Sequence, residues 1–389
     1  MATPTYITGY EHGLPTLSQY GLGIAEYVSL ATTQSSIKRT GSYALKLATA
    51  AGVATNGYTW IPTGSQTMQV VSFYFYWPET NQESSFVFDI YSNGGQSPGL
   101  FYYPSTNLFR IYHDSEGGST YSTEEYAGDQ WVRIDIKYDV TNGTLDWQLN
   151  GNAQPQKTGI ATGTSTYVRP TLTYSATYNL EAYYDDLIIS NTSGDYPIGE
   201  HVVVGIRPNA DGTHDNADTY LENSAGDPIN GTTVYAYDKL NENPWSGTEG
   251  TDYIQQNATD AAKYVEVQFN NPSIGGTIFG ARALMQLNSS GWSTNNGKAY
   301  IFDADSQSTT VFSGDHSSEG TVLQYKGAMV TVPSGGWTAA QVNALKARIG
   351  YSSDADSPPR WNALIIEVAA QSEALPVGAY VSTTMIGTW

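Results

Sequence analysis

Carboxylates are the most plentiful reactive groups in this chain, and glycoside hydrolysis is the first chemistry they suggest. That reaction needs two carboxyl groups roughly 5–9 Å apart across the scissile bond. On one strand this means positions i and i+2, or i and i+4, facing a cleft. The segment Phe86-Val-Phe-Asp89-Ile-Tyr91 carries a single acid, and Glu124 and Glu125 are adjacent in an apparent loop. No E-x-D-x-x-E array occurs. Asp185 and Asp186 are neighbours on an expected strand, where successive side chains take opposite faces. They are therefore not expected to grip one ion or substrate together. Acids from separate strands could still converge, but the sequence offers no positive sign of an enzyme.

Other constellations fail on specific grounds. Gly95-Gln-Ser-Pro-Gly99 matches G-x-S-x-G. A nucleophile elbow needs a helix after it, whereas Leu100-Phe-Tyr-Tyr103 reads as strand. Residues 291–298 resemble a phosphate loop, but five residues separate Gly291 from Gly297, and Ala299 stands where Ser or Thr must hold magnesium. His12, His113, His201, His214 and His316 are scattered, with no pair at metal-ligand spacing. No metal ligands are assigned. Asp211, Asp215 and Asp218 miss the calcium-loop pattern, and Asp303/Asp305 and Asp354/Asp356 read as solvated acidic turns. No cofactor is expected, although a structural Ca²⁺ stays open.

Aromatic residues are more suggestive. Tyr102, Tyr103, Tyr112, Tyr121 and Tyr126 lie in or beside loops of the first half and are expected to be exposed. Sugars pack their C–H faces on such rings, and Tyr also favours protein interfaces. Ordinary filling of strands is the alternative. The first four are the candidate ligand-binding residues, for glycan or protein contact; no catalytic residue is assigned.

The elements that must position them are strands. Val71, Phe73, Phe75 and Trp77 alternate with Ser72, Tyr74 and Tyr76, and Val132, Ile134, Ile136 and Tyr138 with Arg133, Asp135 and Lys137. The second is expected to be half-buried, with its polar face in water. Asn142-Gly143 signals a two-residue hairpin, and Asn150-Gly151 a second turn. Strands are also expected at 108–113, 185–189, 234–237, 264–269, 299–302 and 364–368. One helix is expected near 339–349, with Thr338 and Gln341 as a capping box, Val342, Leu345 and Ile349 on one face, and Gly350 as its stop.

A chain of 389 residues suggests two domains, and its 30 tyrosines and 39 glycines suit many short strands. The net charge of −20 and the lack of a basic cluster argue against binding nucleic acid or an anionic membrane. There is no cysteine, hence no disulfide framework. The opening MATPTYITGY lacks the pattern of an export leader, so a cytoplasmic origin is expected.

Several segments together resemble the concanavalin A-like lectin/glucanase fold of laminin-G type. They are Thr40-Gly-Ser-Tyr-Ala-Leu-Lys-Leu47, Gln130-Trp-Val-Arg-Ile-Asp-Ile-Lys137, the hairpin ending in Leu149-Asn-Gly151, and Tyr184-Asp-Asp-Leu-Ile-Ile189. Their order and spacing imply an all-β chain. Its expected parts are a jelly roll over 1–192, a junction over 193–210, and a second β-sandwich-like domain over 211–389. The junction (Asp185 to Gly194, Ile198-Gly199, Val202 to Pro208, Asp211-Gly212) also resembles tailed-bacteriophage virion proteins. So do the C-terminal Gly336-Trp-Thr338, Arg348 to Ser352 and Trp361 to Val368. That resemblance implies a non-enzymatic virion surface subunit, either capsid decoration or tail-associated. It would be assembled in the host cytoplasm, released by lysis and homo-oligomeric, with other virion proteins and host surface glycans as partners. A tail adhesin for host carbohydrate, or a glycan-degrading enzyme, are the alternatives.

Overall fold

The computed structural model describes residues 3–13, 28–92, 98–112, 120–160, 163–214, 221–242, 253–256, 264–272, 274–288, 297–303, 308–313, 323–351 and 360–372. The first half holds β1 (Tyr6–Thr8), β2 (Val28–Ser29), β3 (Ala31–Gln34), β4 (Ala44–Thr49), β5 (Gly57–Thr59), β6 (Ile61–Gln66), β7 (Met68–Tyr76), β8 (Ser85–Ser92), β9 (Gly99–Tyr103), β10 (Leu108–Tyr112), β11 (Thr120–Tyr121), β12 (Trp131–Asp139), β13 (Thr144–Leu149), β14 (Asn152–Ala153), β15 (Lys157–Thr158), β16 (Ser165–Leu172) and β17 (Leu180–Ser190). The second holds β18 (His201–Ile206), β19 (Pro208–Asp211), β20 (Leu221–Asn223), α1 (Ala236–Leu240), β21 (Ile254–Gln256), β22 (Tyr264–Phe269), β23 (Ile278–Asn288), β24 (Gly297–Phe302), β25 (Ser308–Ser313), β26 (Leu323–Met329), α2 (Ala339–Asn343), β27 (Lys346–Tyr351) and β28 (Arg360–Gln371). The chain is all-β, as expected.

In the first half, β14-β13-β12-β7-β17-β4-β3 form one antiparallel sheet, joined by β1 beside β17 and β15 beside β13. The second sheet runs β11-β10-β9-β8-β16-β5-β2, with β6 also on β16. Period-2 alternation drives them together as a jelly-roll sandwich. Phe73, Phe75, Ile134 and Ile136 meet Phe88, Ile90, Tyr102, Phe109 and Val168 in one core. The Phe73 and Phe88 rings stack at 4.4 Å. The Asn150-Gly151 turn is the two-residue hairpin its sequence signals, with φ of 48° and 85°. The Asn142-Gly143 turn is longer than expected. Asp139 pairs Thr144, leaving four residues outside the ladder. The Asp139 carboxylate accepts from the Asn142 N–H at 3.0 Å and stabilises this wider loop.

The second half pairs β20-β21-β28-β23-β26, with β18 on β28, against β19-β22-β27-β24-β25. Residues 193–210 hold a short 3₁₀ turn at Ser193–Asp195 and then β18 and β19, which enter these sheets. β28 is buried on both faces, which explains its near-continuous apolar sequence. Leu364, Ile366, Val368 and Ala370 enter the second core. Ala363 and Ile365 reach the first core, and Ala369 joins Ile7, Val70, Ile188 and Val203 between the sandwiches.

That layer corrects the reading of β12. Its polar face is not solvated: Asp135 is fully buried and Arg133 nearly so. Arg133 Nε donates to Asp135 Oδ2 at 2.8 Å, and its Nη1 pairs with Glu200. Two elements of the second half also differ from expectation. Residues 234–237 are not a strand; α1 starts at Ala236, because the Asp211 carboxylate accepts from the N–H groups of Ala236 (3.1 Å) and Tyr237 (2.9 Å). The helix expected over 339–349 stops at Asn343. Thr338 does cap it, accepting from the Gln341 N–H at 3.2 Å. Leu345, Ala347 and Ile349, however, share a spacing of two and enter the second core, and β27 pairs on both sides with β22 and β24.

Candidate functional site

The structure splits the candidate tyrosines by parity. Tyr102 and Tyr103 are successive on β9, so one must point inward. Tyr102 is only 1% exposed, which corrects its reading as a surface residue. Its hydroxyl donates to the Tyr126 carbonyl at 2.7 Å, and Tyr126 is itself buried. Tyr103, Tyr112 and Tyr121 lie on the opposite side, the outer face of the second sheet. Tyr121 is 46% exposed.

These three belong to a larger surface. Strand register sets Tyr121 beside Arg110, Arg110 beside Phe101, and Phe101 beside Phe86, a row across four strands. Cross-strand neighbours of this kind are the unit of sheet stabilisation. The Tyr103 ring lies 5.9 Å from Tyr121, Tyr112 lies 6.1 Å from Phe101, and Phe86 lies 4.7 Å from Phe101. A β-bulge between Phe86 and Phe88 lets Phe86 and Asp89 both face outward. Gly99 is required beneath: a side-chain carbon there would collide with the Phe86 ring.

A second cluster continues the face on β5, β8 and β16. Trp60, just after β5, lies 5.1 Å from Tyr167 and 5.4 Å from Tyr91. The Arg169 guanidinium sits 5.0 Å over Trp60 and is gripped by the Asp89 carboxylate, with Nε at 2.9 and 3.1 Å. Burial nevertheless pushes the Asp89 carboxyl up, with Arg169 opposing. Arg110 lies three strands from Arg169, roughly 14 Å at ordinary strand spacing. Half-buried rings beside fixed guanidinium groups make a rigid surface, able to stack on apolar ring faces and donate hydrogen bonds at its edges. Sequence reading missed Trp60, Tyr91, Tyr167, Arg110 and Arg169. Their signal was rings and guanidiniums at the outward phase of alternating strands, where small polar residues are ordinary.

A cleft of about 370 Å³ lies apart from this face, bounded by Trp77 and Glu79 after β7, Asn107 between β9 and β10, and Gly128 between β11 and β12. Tyr102 belongs to its lining.

The paired acids behave differently from their sequence reading. Asp185 and Asp186 do act on one segment. The Asp185 Oδ2 accepts from the N–H groups of Arg39 (2.8 Å) and Thr40 (3.3 Å). Asp186 accepts from Arg39 Nη1 and Thr40 Oγ1, both at 2.6 Å. A bulge between Asp185 and Ile188, with Asp186 at a φ of 51°, shifts the strand by one residue and turns both carboxylates to the same side. Burial and the Asp186 charge push the Asp185 carboxyl well up. The clamp is structural, holding the early chain against β17.

Among the described residues, no three His, Asp or Glu side chains converge as a metal-binding set. Asp211 instead caps α1 and contacts His214 at 3.1 Å. Asp215, Asp218, Asp305, Asp354, Asp356, His113, His316, most of the G-x-S-x-G segment and residues 291–296 lie outside the described residues. No described helix is long and apolar enough to cross a membrane.

No protein-family profile matches the chain, and no curated protein matches it. Among solved structures, it is similar to a cellulose-induced protein, Cip1, at 13% identity and a TM-score of 0.39, over 48% of this chain and 97% of that one. It is also similar to domain 4 of AbnA, a GH43 extracellular arabinanase from Geobacillus stearothermophilus, in complex with arabinotriose. There the identity is 14% and the TM-score 0.35, over 48% of this chain and 92% of that one. A Bacillus licheniformis beta-glucanase shares 10% identity at a TM-score of 0.31, over 38% of this chain and 79% of that one.

Proposed function

We propose that this chain is a non-enzymatic surface protein of a tailed-bacteriophage particle, and that its first sandwich binds glycans through the outer aromatic face. The observation that carries the binding reading is the ring-and-guanidinium surface running from Tyr121 to Trp60. Its outward rings offer apolar planes to sugar C–H faces, and its side chains are held by neighbours before any ligand arrives. The non-enzymatic reading rests on the same face. Asp89, the carboxylate between its clusters, is committed to Arg169 and lacks a second acid at glycosidase spacing among the described residues of the row. The particle assignment rests on the resemblance of the junction and the C-terminal segments.

Two measurements test the two parts. On a glycan array, the parent protein is expected to bind, and the Trp60→Ala, Tyr121→Ala double variant to lose about tenfold or more in affinity, as loss of stacked rings implies. Unchanged binding by the double variant would remove the aromatic face from the reading. Immunogold labelling of intact particles is expected to decorate capsid or tail; unlabelled particles would overturn the virion assignment.

A further inference from the structure

Arg110 differs from most of the described arginines. The chain carries 37 acidic residues against 17 Lys and Arg, so a carboxylate beside each guanidinium is the compositional default. Arg39, Arg133, Arg169, Arg282 and Arg348 each face one within 4 Å. Arg110 faces none among the described residues. Its Nη1 donates to the Tyr103 hydroxyl at 2.8 Å, and its Nε is buried without a hydrogen-bond partner. The guanidinium lies 5.9 Å from the Phe101 ring centre, 5.5 Å from Tyr112 and 5.8 Å from Tyr121.

A guanidinium has five N–H donors in a planar fork that matches a carboxylate. Ring contacts hold this fork in place and remove part of its water. What such a site lacks is a planar anion. The contrast with Arg169 is internal to the same sheet face: there Asp89 supplies the carboxylate, and here no described residue does. We infer that Arg110 receives the carboxylate of an acidic sugar, and that the outer face therefore prefers uronic- or nonulosonic-acid glycans to neutral ones. The net charge of −20 opposes long-range attraction of anions, but screening confines that effect to about 8 Å at physiological salt. A single carboxylate at the face then senses mainly Arg110. This inference rests on the aromatic-face reading, and adds the charge of the ligand to it.

The test uses the full chain with oligogalacturonate and sialyl-lactose, each beside its methyl ester, in titration calorimetry. Esterification removes the negative charge and leaves the ring. The acids are expected to bind at least about tenfold more tightly than the esters, a preference that weakens with salt, as a charge-assisted pair implies. Arg110→Gln is expected to bring acid and ester to equal affinity, whatever its effect on ester binding itself; Arg110→Lys is expected to keep part of the preference. Equal binding of acid and ester by the parent protein would overturn this inference and leave the aromatic-face reading standing. Binding of neither would overturn both. A preference that survives in Arg110→Gln would take the carboxylate away from Arg110. The comparison of acid with ester in the parent protein holds even if a variant does not fold.

Discussion

At the residue scale, the two adjacent aspartates on β17 have different jobs. Asp186 takes the buried Arg39 guanidinium, the half-buried Thr40 hydroxyl and the buried Val203 N–H. Asp185 accepts three backbone N–H groups, those of Arg39, Thr40 and Asp186, and is pushed towards its protonated form by burial. Asp186→Asn keeps the shape and tolerates the left-handed φ, so it isolates the charge. It is expected to cost about 3 kcal/mol in urea unfolding, because buried Arg39 loses its 2.6 Å anion and keeps only the half-buried Glu200 carboxylate at 3.5 Å. Asp185→Asn, which keeps an acceptor oxygen, is expected to cost much less. Equal costs would mean that both carboxylates share the Arg39 charge. This site was hidden in the sequence for one reason: strand parity predicts opposite faces, and a single bulge residue reverses parity. Nothing in Tyr-Asp-Asp-Leu marks the bulge. Tyr102 shows the converse, since parity alone excludes exposing both it and Tyr103 on one strand.

At the element scale, the stretch from Thr338 to Gly350 tests how local signals lose to tertiary pairing. Its capping box is real, but Leu345, Ala347 and Ile349 fit a period of two as well as part of a helical face. Neighbouring strands on both sides decide the outcome by supplying ladder hydrogen bonds to β27. Thr338→Ala removes one cap from a five-residue helix and is expected to cost about 1 kcal/mol. Ile349→Ala empties a fully buried position in a central strand and is expected to cost about 2–5 kcal/mol. Denaturant midpoints of the two variants would check this; a cost of about 1 kcal/mol for both would fit a helix end rather than a strand centre. The strands of the first sandwich were legible because one face of each meets a core and the other does not. The aromatic face was legible only in part, since its residues come from β5, β8, β9, β10, β11 and β16 and meet only through register.

At the scale of the whole molecule, charge is buried where the two sandwiches meet, and this makes stability depend on pH. Glu11 is 1% exposed; its carboxylate accepts from the Ser42 N–H at 2.9 and 3.0 Å, and its own N–H donates to Glu367 at 3.0 Å. Burial pushes the Glu11 carboxyl from 4.5 up to about 8, with Glu367 and Asp186 adding to the rise and the Ser42 N–H and Arg207 opposing it. Burial, with Arg282 and Arg207 nearby, pushes His12 from 6.5 down to about 3. Between 4.5 and about 8 the folded chain keeps a proton on Glu11 that the unfolded chain releases, so stability falls as pH rises. Between 6.5 and about 3 the unfolded chain takes up a proton on His12 that the folded chain refuses, so stability falls as pH drops. The two slopes oppose each other between 4.5 and 6.5, where stability is expected to peak. Asp89, Asp185 and Glu367 are also raised, so each likewise costs stability as pH rises from the ordinary carboxylate range, while Glu181 and Glu266, lowered by their Lys and Arg partners against the effect of desolvation, cost stability as pH falls below it. Glu11→Gln keeps an acceptor for Ser42 and cannot ionise. It is expected to stabilise the protein by a few kcal/mol near pH 8 and hardly at all near pH 4.5, flattening the alkaline arm. Urea midpoints measured across this range for both proteins give the answer directly. Parallel curves would mean that Glu11 ionises in the folded junction as freely as in the unfolded chain, and that the charge between the sandwiches is compensated elsewhere.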